Sequence, residues 1–309
     1  MFIFQTDLCI MMTSTLNNRV SKELSLTISQ MLKNKTTLSF EVFPPKEGVS
    51  FDGVRETVSR LSAFKPDFFS CTYGAGGTNR ERSFQLCDLV RESGNPVLAH
   101  LTCIGSRKGE IAEIVRGHID NNIMNVLALR GDFPAGQAHS GGDFAHADEL
   151  TGFLKKEFPR LCIGAAGYPE KHIQAESLDS DIAALRSKQD SGAEFVMTQL
   201  CYNVSAFAEY LKRIRKAGVT IPVVAGIMPA FAYEQTIKMT LFNGCSIPAE
   251  LAALLGKHRD DPDGLGAVGI EYTARLMRRF VEAGADGLHV YSMNKWKKVS
   301  AVMEVFAAV

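Results

Sequence analysis

The chain alternates between short apolar runs and longer segments in which apolar positions recur every three or four residues. The short runs are rich in β-branched and aromatic residues, which is typical of strands, while the longer segments have the spacing of amphipathic helices. Eight strands are predicted in this way, at residues 38–43, 68–74, 97–104, 125–132, 162–169, 195–202, 222–229 and 286–293.

The residues between helices and strands support this alternation. Gly94, Gly192, Gly218 and Gly284 each stand between a predicted helix and the next strand, and Asn122 takes the same place once. Glycine and asparagine are favoured at such positions because the residue that follows a helix often adopts a left-handed backbone conformation.

Long apolar strands that alternate with helices are typical of a parallel sheet covered on both faces. Eight such units predict an α/β fold with a single (β/α)8 TIM barrel over residues 31–309. An open doubly wound sheet is the rival, but no strand is followed by G-x-G-x-x-G, and the chain contains no G-x-x-x-x-G-K. Residues 1–30 are predicted to form a loose N-terminal extension, and residues 248–257 an extra helix between the seventh strand and the eighth helix.

Composition narrows the classes of function. The 34 basic and 34 acidic residues cancel, so the chain has neither the basic excess of a nucleic-acid-binding protein nor a charge bias toward anionic membranes. The seven cysteines are scattered without a C-x-x-C pair or zinc spacing, which predicts buried reduced thiols and no metal site. No apolar stretch reaches the length that spans a bilayer, and we predict a cytoplasmic protein.

Polar residues stand at the predicted carboxyl ends of seven of the eight strands. In a (β/α)8 barrel these ends form the active site. Each residue alone has an ordinary structural explanation, such as a packed aromatic side chain or a salt bridge at the rim, but together they predict a functional site. The residues are Glu41, Thr72, Tyr73, His100, Thr102, Arg130, Asp132, Tyr168, Glu170, Thr198, Gln199, His289, Tyr291 and Asn294.

Glu41 is the hardest of these residues to explain by packing, because it lies within the apolar run LSFEVF. Alternation along the strand puts Glu41 on the opposite face from Phe40 and Val42, which in a closed barrel is the interior. Burial without a partner favours the protonated form of a carboxyl group. A carboxylic acid that keeps its proton near neutral pH is suited to general acid catalysis.

The motifs at the strand ends resemble, in order, those of the flavin-dependent methylenetetrahydrofolate reductases. The matching pieces are SFEVFPPK, CTYGAGGTNR, AHLTC, ALRGDFP, AGYPEKH, TQLCYN, GIMP and HVYSMNK. The resemblance covers residues 35–300 and concerns the bacterial catalytic barrel, without the regulatory C-terminal domain of the eukaryotic enzymes. It implies FAD-dependent reduction of 5,10-methylenetetrahydrofolate to 5-methyltetrahydrofolate, with NADH or NADPH as the reductant in a ping-pong sequence.

The resemblance also implies roles for individual residues. Glu41 would be the general acid that helps to open the imidazolidine ring of the folate, and Asp132 would stabilise the resulting cation. The residues that would hold FAD are Thr72, Tyr73, Ala75, His100, Arg130, Gly131, Asp132, Phe144, Ala145, Tyr168, His172, Ala175, Asp181 and Lys188. The residues that would contact the folate or nicotinamide are Asp132, Gln199, Tyr233 and Lys295.

The sequence departs from the family pattern at four positions. Ala184 and Ser187 replace an asparagine and an arginine expected near the ribose and diphosphate of FAD, Tyr233 replaces a phenylalanine, and Lys295 replaces an arginine. MNKW and MPAFAYEQ are similar to the same segments of anaerobe-type members, some of which work beside a separate electron-transfer subunit.

Two alternatives to a reductase that uses NAD(P)H directly therefore stay open. One is the folate-reducing subunit of a multi-subunit redox complex, fed by a partner electron-transfer protein. The other is a different barrel enzyme, such as a flavin-dependent amino-acid dehydrogenase or a pterin-dependent methyltransferase. The expected partners are the small-molecule substrates and further copies of the chain in a homo-oligomer, with no nucleic acid and no membrane.

Overall fold

The computed structural model describes residues 26–73, 80–132 and 141–308. In this part of the chain eight parallel strands form a closed barrel in the order β1 to β8, with β8 paired to β1. The predicted (β/α)8 barrel is thus confirmed. The strands are β1 (Thr37–Val42), β2 (Phe68–Cys71), β3 (Val97–Thr102), β4 (Asn125–Leu129), β5 (Cys162–Gly167), β6 (Phe195–Leu200), β7 (Val223–Ile227) and β8 (Gly287–Tyr291).

Helices connect the strands and surround the barrel. The predicted extra helix between β7 and the last crossover helix is confirmed as α9. The helices are α1 (Ile28–Leu32), α2 (Asp52–Ser62), α3 (Arg80–Glu92), α4 (Lys108–Asp120), α5 (Ala147–Glu157), α6 (Leu178–Asp190), α7 (Val204–Lys216), α8 (Tyr233–Asn243), α9 (Ala249–Lys257), α10 (Pro262–Glu282) and α11 (Trp296–Ala307).

The corners between helices and strands have the backbone conformation that the sequence predicts. Gly94, Gly192, Gly218 and Gly284 have φ values of 82°, 113°, 84° and 96°, and Asn122 has a φ of 58°. Each residue ends a helix with a left-handed turn that directs the chain back toward the barrel.

The short helix α1 covers the end of the barrel opposite the strand carboxyl ends. The backbone N–H of Ile28 donates to Asn125 Oδ1 at 2.9 Å, and Ser29 Oγ donates to Glu194 Oε2 at 2.7 Å. Ile28 and Leu32 pack against the apolar side chains that fill the lower barrel. Residues 28–30, which the sequence analysis assigned to the N-terminal extension, therefore belong to this helix, while residues 1–25 lie outside the described part.

The main hydrophobic core lies between the barrel and its helices. Phe40 and Val42 on the outer face of β1 are fully buried and pack in one cluster with Val58 and Leu61 of α2. Glu41 has the opposite orientation and lines the cavity at the barrel mouth. The strand alternation read from the sequence is therefore confirmed at this position.

The cysteines of the described residues are reduced and mostly buried, as the sequence predicts. The six cysteines in these ranges are free thiols, and all but Cys245 are buried; Cys9 lies outside them. None of the helices seen in residues 26–73, 80–132 and 141–308 combines the length and apolar character needed to cross a membrane.

The left-handed corners predict the effect of substituting their glycines. Gly284→Ala should lower the free energy of unfolding by about 1 kcal/mol, because a Cβ is disfavoured at a φ of 96°. Gly256→Ala within α9 is the matched control, since its Cβ would meet no atom within 4 Å and alanine favours helix; it should be neutral or stabilising. Urea unfolding of both variants measures this, and equal destabilisation would contradict the role given to Gly284.

Candidate active site

A large open cavity lies at the carboxyl ends of the strands, where a (β/α)8 barrel carries its active site. Its volume is about 1300 Å³. The lining includes ten of the residues to which the family resemblance gives a role, together with the predicted strand-end residues Thr102, Thr198 and Tyr291. The ten are Glu41, Thr72, Tyr73, His100, Arg130, Gly131, Asp132, Tyr168, His172 and Gln199.

The cavity has an apolar floor and polar walls. Leu127, Leu129 and Met197 point into it from β4 and β6, and the small residue Ala166 of β5 leaves room beside them. Such a surface suits the face of a flat aromatic ring system, since apolar contact provides most of the binding area in ligand pockets and a few polar groups set the orientation.

Glu41 is buried in the upper barrel, with only 5% of its surface exposed. Its Oε2 atom lies 3.7 Å from Nε2 of His100 and 3.6 Å from Nε2 of His289. The same nitrogen of His100 lies 2.5 Å from Ser70 Oγ. A carboxyl group therefore sits between two imidazoles, one from β3 and one from β8.

His100 is neutral near physiological pH. Burial lowers the pKa of its imidazole to about 4, although the neighbouring Glu41 carboxylate acts in the opposite direction. Burial also raises the pKa of Tyr291, whose hydroxyl donates to the carbonyl of Thr198 at 3.0 Å. His100 and Tyr291 are therefore uncharged polar neighbours of Glu41 near neutral pH, and His100 forms no ion pair with it.

The turn after β8 holds the end of β1 in place. The side-chain amide of Asn294 accepts from the backbone N–H of Phe43 at 3.1 Å and donates to its carbonyl at 2.9 Å. Ser292 Oγ donates to the carbonyl of Glu41 and accepts from the N–H of Asn294. Met293 and Asn294 reach this position with φ values of 50° and 53°. The backbone on both sides of Val42 is therefore fixed by β8.

A positive charge lies beside β5. Lys188 of α6 donates from Nζ to the carbonyl of Ala166 at 3.0 Å and lies 5.7 Å from the centre of the Tyr168 ring. Burial lowers the pKa of Lys188, while Asp181 acts in the opposite direction. Asp181 Oδ2 in turn accepts from the backbone N–H of His172 at 3.0 Å, which positions the loop after β5.

The end of β4 carries Arg130, Gly131 and Asp132 on another side of the cavity. Arg130 donates from Nη2 to Gln174 Oε1 at 2.7 Å and from Nε to the carbonyl of Gly131. Gly131 has a φ of 88°, and a Cβ there would lie 3.0 Å from both Thr102 and Ile104. Glycine is therefore required at this turn. The residue that follows it, Asp132, is exposed at the rim of the cavity.

The end of β6 is irregular, which affects Gln199. The register between β6 and β7 shifts between Met197 and Leu200. The N–H of Gly226 donates to Thr198 Oγ1 at 2.9 Å, and Gln199 Oε1 accepts from the N–H of Leu200 at 2.8 Å. Both Thr198 and Gln199 then line the cavity, although they are consecutive residues of one strand.

Comparison with known protein families agrees with this geometry. The family model for methylenetetrahydrofolate reductase matches residues 27–307 of the chain. The chain belongs to the methylenetetrahydrofolate reductase family. The match covers the whole barrel, including every strand end that lines the cavity, and it decides against the other barrel enzymes that the sequence analysis left open.

Individual members of the family are similar over most of the chain. The Escherichia coli 5,10-methylenetetrahydrofolate reductase is 31% identical over 85% of this chain and 88% of its own. The Schizosaccharomyces pombe methylenetetrahydrofolate reductase 1 is 32% identical over 88% of this chain but 46% of its own. The Arabidopsis thaliana methylenetetrahydrofolate reductase (NADH) 1 is 33% identical, with 88% and 48% covered. This chain therefore spans about half the length of the eukaryotic relatives it matches.

Solved structures share the fold at low sequence identity. An uncharacterized protein from Clostridium thermocellum that binds two copies of 5-methyl-5,6,7,8-tetrahydrofolic acid has a TM-score of 0.61 and 15% identity, with 90% of this chain and 97% of that chain covered. A 2,3-dimethylmalate lyase has a TM-score of 0.53 and 12% identity. At such identities these likenesses show the barrel fold alone.

Ala75, which the family resemblance assigned to the cofactor, lies outside the described residues. Apart from the ten in its lining, the other residues that the resemblance assigned to ligands are described and do not line the cavity. Asp181 and Lys188 lie on α6, where they contact His172 in the loop after β5 and Ala166 of β5, as described above. The others are Phe144, Ala145, Ala175, Tyr233 and Lys295.

Phe144 and Ala145 lie away from the cavity. Phe144 is buried in the outer core and contacts the Phe153 ring edge to face, and the N–H of Ala145 donates to Glu149 Oε2 at 2.7 Å. Ala175 donates its N–H to the carbonyl of His172. A role of these residues in cofactor binding stays a prediction.

The two residues outside the cavity that are predicted to contact substrate, Tyr233 and Lys295, lie near the start of α8. Tyr233 is its first residue, and its ring lies 5.3 Å from the guanidinium carbon of Arg259. Lys295 donates from Nζ to Gln235 Oε1 at 2.7 Å. Both side chains are engaged with protein partners in this structure, and their contact with substrate also stays a prediction.

The sequence analysis missed two serines beside the buried carboxyl group. Ser70 contacts His100, and Ser39 Oγ lies 2.8 Å from Nδ1 of His289. Ser39 is two residues before Glu41, and Ser70 is paired with Glu41 across the β1–β2 ladder. Period-two alternation indicates that Ser39 shares the interior face with Glu41, but the pairing of Ser70 requires the register between strands.

The burial of His100 predicts an unusual titration. Its ring should stay neutral down to about pH 4, so its NMR signals should not titrate between pH 5 and 8. The half-buried His172 is the internal comparison, since its pKa is also lowered but its burial is weaker, and it should titrate at higher pH than His100. The resonance lost in His100→Gln assigns the signal.

The lowered pKa of His100 also sets the direction in which the stability of the fold changes with pH. Because the folded-state pKa of His100 lies below its usual value, the unfolded chain binds a proton that the folded chain refuses between pH 6.5 and about 4. Stability should therefore fall as the pH falls through this window, and less so in His100→Gln. A His100 signal that titrates near pH 6.5 would contradict the structure.

Proposed function

We propose that this chain catalyses the FAD-dependent reduction of 5,10-methylenetetrahydrofolate to 5-methyltetrahydrofolate, with NAD(P)H as the reductant in a ping-pong sequence. The observation that carries the proposal is the carboxyl group of Glu41, buried at 5% exposure in the wall of a cavity that is otherwise open. A buried acid at the strand ends suits a reaction that needs a proton delivered to a bound substrate.

The cavity fits FAD in size and in the chemistry of its walls. Its volume of about 1300 Å³ exceeds the roughly 1000 Å³ upper range of pockets for drug-sized ligands, which leaves room for a flavin with a second ring system beside it. The apolar floor suits the isoalloxazine ring, and Lys46, Arg80 and Arg130 in the walls provide positive charge for the diphosphate. When bound, FAD supplies the hydride carrier between the nicotinamide and the folate.

The departures from the family pattern near the diphosphate have a local explanation. Ser187 Oγ donates to Asp148 Oδ2 at 2.6 Å, and Ala184 is exposed on the surface of α6. Neither residue supplies a cation, and the described lysine and arginine side chains that line the cavity are Lys46, Arg80 and Arg130. We infer that these three residues carry most of the electrostatic attraction for the diphosphate, while a contact of Lys188 with it stays a prediction.

Glu41 and Asp132 have different environments that suit different roles. Glu41 is buried and flanked by imidazoles, so it is suited to hold a proton and donate it to a nitrogen of the imidazolidine ring as that ring opens. Asp132 is exposed at the rim after Gly131, where a carboxylate stabilises positive charge that develops on the pterin. Because one carboxyl group is buried and the other is exposed, Glu41 can serve as the acid and Asp132 as the electrostatic stabiliser.

Gln199 is suited to contact both substrates. Its amide carries donors and an acceptor, so the same side chain can bind a nicotinamide and then a pterin in turn. The irregular end of β6 brings it into the cavity wall beside Met197, on the apolar floor. Such a shared contact is consistent with two substrates that occupy one place successively.

The relatives' names bear on the reductant. The Arabidopsis thaliana and rice relatives are named as NADH enzymes, which supports NADH as the first donor to test. No observation on the described residues favours the alternative, in which a partner electron-transfer protein replaces NAD(P)H. The experiment that tests the proposal also separates these two donors.

The test is a visible spectrum of the purified protein after incubation with FAD and removal of the excess. We expect a retained flavin spectrum that bleaches with NADH under anaerobic conditions and returns when methylenetetrahydrofolate is added. Retained flavin that ignores NADH, but is reoxidised by the folate after reduction by dithionite, would favour the partner-fed alternative. Absence of retained flavin would count against the proposed function.

The proposed role of Glu41 predicts a selective defect. Glu41→Gln should lower the rate of the folate half-reaction by at least ~100-fold, because the proton donor is lost, while reduction of the flavin by NADH stays close to wild type. Glu47→Gln, an exposed residue in the loop after β1, is the matched control and should leave both half-reactions unchanged. Stopped-flow absorbance measures each step separately, and equal loss of both in Glu41→Gln would contradict the assignment.

A further inference from the structure

A hydrogen bond crosses the barrel mouth between two strands that are not neighbours. The hydroxyl of Tyr291, the last residue of β8, donates to the backbone carbonyl of Thr198 on β6 at 3.0 Å, and β7 lies between these two strands. Backbone ladders between adjacent strands already close the barrel, so this side-chain bond is not needed for closure. The mechanism proposed above gives Tyr291 no role.

Tyr291 reaches β6 because Gly226 of β7 has no side chain. A Cβ on Gly226 would overlap the carbonyl oxygen of Thr198, and it would lie 2.9 Å from the Tyr291 hydroxyl and 3.0 Å from its ring. A carbon atom is repelled at such separations, so a larger residue at position 226 would displace the tyrosine or the end of β6. The absence of a side chain on β7 thus makes room for a bond from β8 to β6.

The bond from Tyr291 falls on a β-bulge at the end of β6. From Met197 to Leu200 the strand β6 advances three residues while β7 advances two, so β6 carries one extra residue. Thr198 lies within this stretch and is held on two sides, since its carbonyl accepts from Tyr291 and its Oγ1 accepts from the N–H of Gly226 at 2.9 Å. These two bonds fix the shape of the bulge.

The bulge sets the direction of the Gln199 amide. Gln199 follows Thr198, and its Oε1 accepts from the backbone N–H of Leu200 at 2.8 Å. A backbone N–H only donates, so the oxygen of the amide is the atom that faces it. The two N–H groups of the amide are then left for a ligand, since Gln199 lines the cavity and no described residue accepts from them.

The Tyr291 side chain is fixed as a hydrogen-bond donor. Burial raises the pKa of Tyr291 well above its usual range, so the phenol keeps its hydrogen, and the carbonyl of Thr198 can only accept it. The ring meets that of His289 edge to face with centres 5.2 Å apart, which holds its orientation. The direction of the hydroxyl is therefore set by packing as well as by its acceptor.

We propose that Tyr291 is a positioning residue for Gln199. By holding the carbonyl of Thr198, its hydroxyl keeps the bulge in the shape that turns the N–H groups of Gln199 toward the ligand. The matching group on the ligand is then a carbonyl oxygen, which the nicotinamide carboxamide and the pterin ring both carry. One pair of donors can thus serve two substrates in turn. The inference deepens the function proposed above and rests on it for the identity of these two ligands.

The first test is Tyr291→Phe, which keeps the ring and removes the hydroxyl. We expect KM for NADH and KM for methylenetetrahydrofolate each to rise by about fivefold, as for the loss of one hydrogen bond, while kcat stays within about twofold, because the contact holds the ligand rather than the reacting atoms. Tyr272→Phe, which removes a hydroxyl from the outer core at α10, is the matched control and should change neither constant. A loss of kcat with both KM values unchanged would overturn the proposal.

A double-mutant cycle with Gln199→Ala tests whether Tyr291 acts through Gln199. In the Gln199→Ala background, Tyr291→Phe should raise the KM values no further, because the amide that the hydroxyl positions is already gone. Full additivity of the two substitutions would show that Tyr291 acts independently of Gln199, and it would contradict the proposal.

Amide hydrogen exchange tests the same link without turnover, since it needs neither NADH nor folate. Exchange of the Leu200 N–H should become faster by about fivefold in Tyr291→Phe, because the bulge no longer holds Gln199 Oε1 against it, and it should be unchanged in Tyr272→Phe. Gln199→Ala removes the acceptor and sets the upper limit of the effect. Unchanged exchange in Tyr291→Phe would overturn the proposal. Failure of the wild-type flavin to react with NADH or folate would instead refute the proposed function alone.

Discussion

The pairing of β1 with β8 is the constraint on which the site depends. It closes the barrel and sets Ser39 opposite His289 in the ladder. The seam is tight at its lower end, where a Cβ on Gly287 would lie 2.3 Å from Thr37 Oγ1, so that a larger residue would push the strands apart. Because the register is exact over the whole seam, a shift by one residue would turn Glu41 away from the cavity and into the outer core.

The barrel interior is divided into an apolar lower part and a polar upper part. Phe68, Leu98 and Phe195 fill the lower part next to α1. In the upper part, Glu41 and His289 lie where burial is costly, since removing an unpaired carboxylate from water costs several kcal/mol.

Much of the site could be predicted because strand ends converge by topology. Once eight βα units are recognised, residues such as Glu41 and Arg130 must meet at one mouth, however far apart they lie in the chain. The contact between Ser39 and His289 joins residues 250 positions apart and depends on the closing register. The same holds for the two hydrogen bonds between the side chain of Asn294 and the backbone of Phe43. No local pattern specifies these contacts, since alternation gives the face of a side chain but not its neighbour on the next strand.

The sequence by itself determined the succession of strands and helices, the left-handed corners and the inward direction of Glu41, because each follows from local periodicity or from the backbone freedom of glycine and asparagine. Only the tertiary structure decided what surrounds that carboxyl group. It placed an imidazole from β3 and another from β8 on either side of Glu41, and it left the Nε2 atom of His289 facing the acid without a hydrogen-bond partner in the described chain. Such neighbours are set by barrel closure and strand stagger, which are properties of the whole fold.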